Sequence, residues 1–95
     1  MNKVEFETIH QGVIDTVDDL LLSNPQCPAF NILIKTRTNT DYKISEWKAL
    51  SRVNVVETEN NYKLSDLALL VVCAKYITAI PYNEIVEIYA EAVKE

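Results

Sequence analysis

Ninety-five residues, 48% hydrophobic and 24% charged, suit one domain with a single core, and one Gly with three Pro argues against a linker, a repeat or a disordered tail. A formal charge of −5 argues against a general nucleic-acid binder, because phosphate binding rests on Lys and Arg. Charge is also uneven: residues 1–34 carry −4, residues 35–63 carry +2, and residues 64–95 carry −3.

The opening MNKVEFETIH has acids from position 5 and no apolar run before residue 20, so a cytoplasmic chain without a secretory signal is expected. Between residues 4 and 22, Phe6, Ile9, Val13, Val17 and Leu20 fall at helical spacing, with Ile14 and Leu21 at the edge. Glu5, Asp15, Asp18 and Asp19 lie opposite, which predicts an amphipathic helix. It must stop before Asn24-Pro25-Gln26-Cys27-Pro28, where two prolines exclude helical continuation.

Phe30, Ile32 and Ile34 then alternate with Asn31, Leu33 and Lys35, the pattern of a strand. Thr38-Asn39-Thr40-Asp41 reads as a turn and Tyr42-Lys43-Ile44 as a short return strand. Ser45 can cap a short helix, Glu46 to Arg52, that turns Trp47 and Leu50 inward. Val53 to Thr58 and Tyr62 to Leu64 flank Glu59-Asn60-Asn61, a hairpin pattern.

Residues 67–74 are eight consecutive apolar residues, too few for the roughly 20 that cross a bilayer. With Ser65 and Asp66 ahead and Pro81 behind, they predict a buried central helix ending near Ile80. Where 95 residues fail to cover it, a homodimer interface is expected. A final helix over 82–94 would place Ile85, Ile88, Tyr89 and Ala92 on one side, with Glu84, Glu87, Glu91 and Glu95 in a stripe opposite. The expected fold is therefore a small α+β domain over 1–95: an amphipathic N-terminal helix, short antiparallel strands or hairpins, a short middle helix, and two C-terminal helices with the first of them buried.

Chemistry is sparse. The single His10 and the cysteines Cys27 and Cys73 form no metal-spaced cluster, and two cysteines make no disulfide framework. No Gly-x-Ser-x-Gly elbow is present and the lone Gly12 sits in the first helix, outside any phosphate loop. His10 reads as a packing side chain at the edge of that helix's apolar face, and Cys27 as a small turn residue. Neither an enzyme nor a cofactor is expected.

Two interaction readings remain. Asp18 and Asp19 lie toward a helix C-terminus, where the backbone dipole disfavours anions by roughly 0.3–1 kcal/mol. Charges placed against local stability suggest a docking role. Asp15, Asp18, Asp19, Glu84, Glu87 and Glu91 are thus the candidate contacts to a basic protein, such as a nuclease or other nucleic-acid-handling enzyme. In size and charge alone the chain is comparable with immunity proteins and with phage or mobile-element inhibitors such as anti-CRISPR proteins. The alternative is a DNA-binding regulator using a helix plus hairpin at 45–64, with Lys43, Lys48, Arg52 and Lys63 as its cations.

Overall fold

A computed structural model describes residues 1–24, 27–51 and 53–93. Arg52, Glu95 and Pro25, named above, lie outside the described residues.

The expected first helix is present as α1, Lys3–Ser23. Its start is set by a capping box: Asn2 Oδ1 accepts from the Glu5 N–H and Glu5 Oε1 accepts from the Asn2 N–H, both at 2.9 Å. It ends at Asn24, whose N–H donates to the Leu20 carbonyl. The buried face differs from the expected one. Phe6, His10, Ile14, Val17 and Leu21 point inward, whereas Ile9 and Leu20 are each 45% exposed. More apolar residues ring this helix than one face can hold, and contact with two sheets rather than one chooses which are covered.

Beyond α1 the chain is almost entirely β-structure. A four-stranded antiparallel sheet runs in the order β3 (Val55–Asn60), β2 (Asp41–Ala49), β1 (Ala29–Thr36), β7 (Ile85–Ala92). A three-stranded sheet runs β4 (Tyr62–Leu64), β5 (Ala68–Val72), β6 (Ile77–Pro81). The β1–β2 turn falls where expected, with Asn39 at φ 63, a left-handed position that Asn tolerates.

Four expectations are overturned. The middle helix Glu46 to Arg52 is instead the second half of β2 through Ala49. Pairing with β1 on one side and β3 on the other outweighs the helix preference of Glu46, Lys48 and Ala49. Ser45 caps nothing; it is fully buried and its hydroxyl accepts from Trp47 Nε1 at 3.2 Å. A bulge opposite Ile32 and Leu33 lets Ile44 and Ser45, adjacent in sequence, both turn inward.

The hairpin expected around Glu59-Asn60-Asn61 does not close on itself. β3 pairs with β2, and β4 pairs with β5. Asn61 is the corner between the sheets: its N–H donates to the Ile44 carbonyl at 2.8 Å and its carbonyl accepts from the Val72 N–H at 2.7 Å.

The buried central helix and the final helix are both strands. Residues 67–81 hold the β5–β6 hairpin, in which Leu69, Val71 and Ile80 are buried while Val72 and Ile77 face out. A short apolar run suits a buried helix or a buried strand equally, and β-branched Val71, Val72, Ile77 and Thr78 favour the strand. After a 3₁₀ turn at Tyr82–Glu84, β7 buries Ile85, absorbs Val86 in a bulge against Lys35 and Thr36, and then alternates. Glu87 and Glu91 misled because a spacing of four puts residues on one side of a helix and equally on one side of a strand.

The core lies between α1 and the two sheets, built from Phe6, Val17, Leu21, Ile32, Ile34, Ile44, Leu69, Val71, Ile80, Tyr82 and Ile85. Tyr82 fastens the three-stranded sheet by donating to the Ser65 carbonyl at 2.6 Å. Among the described residues no helix is long and apolar enough to cross a membrane.

Candidate functional site

The acids proposed as one docking surface divide into two groups. Asp15, Asp18 and Asp19 belong to α1, which covers the inner face of the four-stranded sheet. Glu87 and Glu91 lie on the opposite, outer face, paired across from Lys35 and Asn31 and alternating with the core-directed Ile88 and Ala90. Glu84 sits in the 3₁₀ turn, and its carbonyl accepts from the Arg37 N–H at 2.9 Å. One flat partner surface cannot touch both groups.

Within the helical group, Asp15 is held by Gln11, whose Nε2 donates to Oδ1 at 2.8 Å. Asp18 differs: its Oδ1 is buried with no hydrogen-bond partner among the described residues. Burial pushes its carboxyl above the ordinary range, and the negative charges of Asp15 and Asp19 push the same way. Asp18 is therefore weakened as an acid by its burial and by its two neighbours.

β7 has a different environment. It is the last strand of its sheet, so among the described residues one side of its backbone meets no strand. Over that edge α1 leaves an apolar groove of about 410 Å³ lined by Ile9, Gly12, Val13, Leu20, Phe30 and Ala90, among others. Ala90 and Ala92 are small, and space beneath the helix is left open. Ile9 and Leu20, each 45% exposed, and the partly buried Val13 belong to the apolar stripe read from the sequence, and what they leave uncovered makes the groove.

On the other flank of α1 an open cleft of about 650 Å³ is lined by Glu7, His10, Gln11, Asp15, Tyr62 and Leu64, among others. His10 is 6% exposed, stacks on Phe6 at 5.3 Å and meets Tyr62 edge-on at 5.2 Å. Burial lowers its pKa, so the ring is neutral near pH 7. Its Nε2 is buried and without a hydrogen-bond partner among the described residues. An occluded nitrogen between two aromatic rings joins α1 to β4 and presents no base to a substrate in this conformation.

The cations of the alternative reading are dispersed. Lys43 is held on the outer face between Glu46 at 3.3 Å and Glu59 at 3.0 Å. Burial lowers the ammonium pKa, but the hydrogen bonds to Glu59 and Glu46 outweigh it and the net push is upward. Lys48 lies exposed on β2, Lys63 on β4 in the other sheet, and the recognition helix expected between them is a strand. Both cysteines are free thiols; Cys27 Sγ lies 3.7 Å from the Ala29 carbonyl. Among the described residues no three His, Cys, Asp or Glu side chains group to hold a metal ion.

Compared with models of known protein families, with curated protein sequences and with solved structures, the chain matches none.

Proposed function

We propose that the protein is a non-catalytic binding module, an inhibitor or regulator that engages a basic segment of a partner protein in the cytoplasm. The observation that supports this reading best is the β7 margin of the four-stranded sheet. There an unpaired strand edge, an uncovered apolar groove and the outward carboxylates of Glu87 and Glu91 adjoin. Carboxylates beside an apolar contact supply orientation and a faster encounter with a basic partner, while the apolar part supplies affinity.

The test is affinity purification of the tagged chain from its native cell, followed by binding measurements on the co-eluting protein. Binding is expected to weaken steeply with salt and to be lost in the double variant Glu87→Lys, Glu91→Lys. A complex that survives this reversal unchanged overturns the reading for this surface.

A further inference from the structure

The hydrogen-bond phase of β7 shows what its open edge offers. The Val93 N–H donates to the Ala29 carbonyl at 2.9 Å, and the register continues as Phe30 with Ala92, Asn31 with Glu91, Ile32 with Ala90, Leu33 with Tyr89 and Ile34 with Ile88. In an antiparallel pair, residues that bond across the ladder alternate with residues whose N–H and C=O point the other way. Bonding at Val93 therefore puts Glu91, Tyr89 and Glu87 in the ladder with β1. The backbone groups of Ala92, Ala90 and Ile88 are directed to the free edge.

Those same three residues carry side chains on the helix side of the sheet: Ile88 and Ala90 pack against the core, and Ala90 lines the groove under α1. A strand added there would bond at Ile88, Ala90 and Ala92. Its residues opposite them would enter the groove beside Val13 and Leu20, and its alternate residues would emerge on the outer face beside Glu87, Tyr89 and Glu91.

We infer that β7 accepts an extended segment of a partner protein, apolar residues alternating with Lys or Arg, as a fifth strand of the four-stranded sheet. This rests on the binding-module reading and names its ligand class. Charge selects the occupant. A second copy pairing through its own β7 would bring the acids Glu87 and Glu91 of each chain onto one face, where like charges in cross-strand positions destabilise pairing. A segment with Lys or Arg in those positions reverses the sign. Edge strands are commonly protected by Lys, by Pro or by a covering element; β7 contains neither residue, and its only bulge, at Val86, lies at the start and leaves Ile88 to Ala92 regular.

The probe is a capped nine-residue peptide of alternating Val and Lys, titrated into the ¹⁵N-labelled full chain. Four comparison peptides accompany it: alternating Val and Glu, the same Val and Lys in two separate blocks, and two forms of the alternating Val–Lys peptide, N-methylated at every second backbone nitrogen in one phase or in the other. Shifts are expected at the amides of Ile88, Ala90 and Ala92 and at residues lining the groove, with loss of binding for the Glu peptide and for one N-methyl phase only. Ala90→Pro removes an outward N–H without removing a ladder bond to β1, so it should weaken the probe about tenfold, the value of one backbone hydrogen bond, while leaving the melting temperature near that of the parent.

Equal binding of both N-methyl phases, or shifts confined to another surface, overturns strand addition. If the block peptide then binds as tightly as the alternating one, with the same salt dependence, the acidic-surface reading survives without it. If no basic peptide binds, both fall.

Discussion

The two sheets share one core but present opposite outer faces. On the four-stranded sheet the outward positions carry Lys43, Glu46, Lys48, Glu87, Tyr89 and Glu91, and Lys43 is held between two glutamates. On the three-stranded sheet the outward pairs are Leu70 with Ala79 and Val72 with Ile77, flanked by Lys63. The first face follows the rule for a sheet covered on one side, apolar inward and polar outward. The second is apolar on both sides, the pattern of strands meant to be covered twice. Fold stability and surface chemistry are thus separable in the larger sheet and entangled in the smaller.

The largest expected effect tests whether the inner face of the smaller sheet carries fold stability. Leu69 is fully buried on β5, and Leu69→Ala should cost about 2–5 kcal/mol in chemical denaturation, the range for a core leucine. A loss under about 1 kcal/mol would mean that the three-stranded sheet contributes little to the core and that the two sheets are not one cooperative unit.

Where the sequence was legible, its periodicity had one reading. α1 announces itself by an apolar stripe and two following prolines; β1 does so by alternation. Residues 67–92 were illegible because each cue fits two periods. LALLVVCA has no polar residue to mark a face, and the four-residue step from Glu87 to Glu91 is even, so it keeps one side in a strand and one side in a helix. In β7 positions 87 and 91 stand roughly 13 Å apart along the strand, rather than one helical turn apart. The six acids were legible as residues, but their grouping depended on topology. The β7 edge could not be read at all, because strand order is a property of long-range pairing.

The next effect concerns the seam between α1 and the smaller sheet. His10 has its pKa lowered by burial from an ordinary 6.5, so the unfolded chain binds more protons wherever the pH lies between the two values. Stability should be full above about pH 7, fall as pH drops through 6.5, and level off below the folded-state value. Asp18, raised by burial and by Asp15 and Asp19, has the opposite sign and acts near the carboxylate range. Urea melts between pH 5 and 8 measure the slope, and His10→Phe should flatten it. An unchanged slope in that variant would place the proton uptake elsewhere.

Smaller still is the expected effect of Ile77→Thr on the outer face of the smaller sheet. Ile77 is 69% exposed, and the change should stay within about 0.5 kcal/mol in a monomer. Melts repeated over a hundredfold range of protein concentration sharpen the contrast between the sheets. If a second copy covers this face, as its two-sided apolar character suggests, the parent's melting temperature rises with concentration and Ile77→Thr removes that rise. Concentration-independent melting in both proteins would show that the face stays open in the isolated chain.

The smallest effect belongs to the outer face of the larger sheet. Lys43→Met breaks the pairs with Glu46 and Glu59, both formed at the surface, where solvent screens the attraction and ordering long side chains opposes it. The loss in melting temperature should be less than for the core and seam changes above. It should vanish in about 1 M salt, where the screening length falls to roughly 3 Å. A large, salt-insensitive loss would mean that Lys43 acts through its aliphatic stem, packed on the sheet, rather than through its charge. In that case the outer face of the larger sheet would hold the fold as well as present charge, and the contrast with the smaller sheet would narrow to the identity of its exposed side chains.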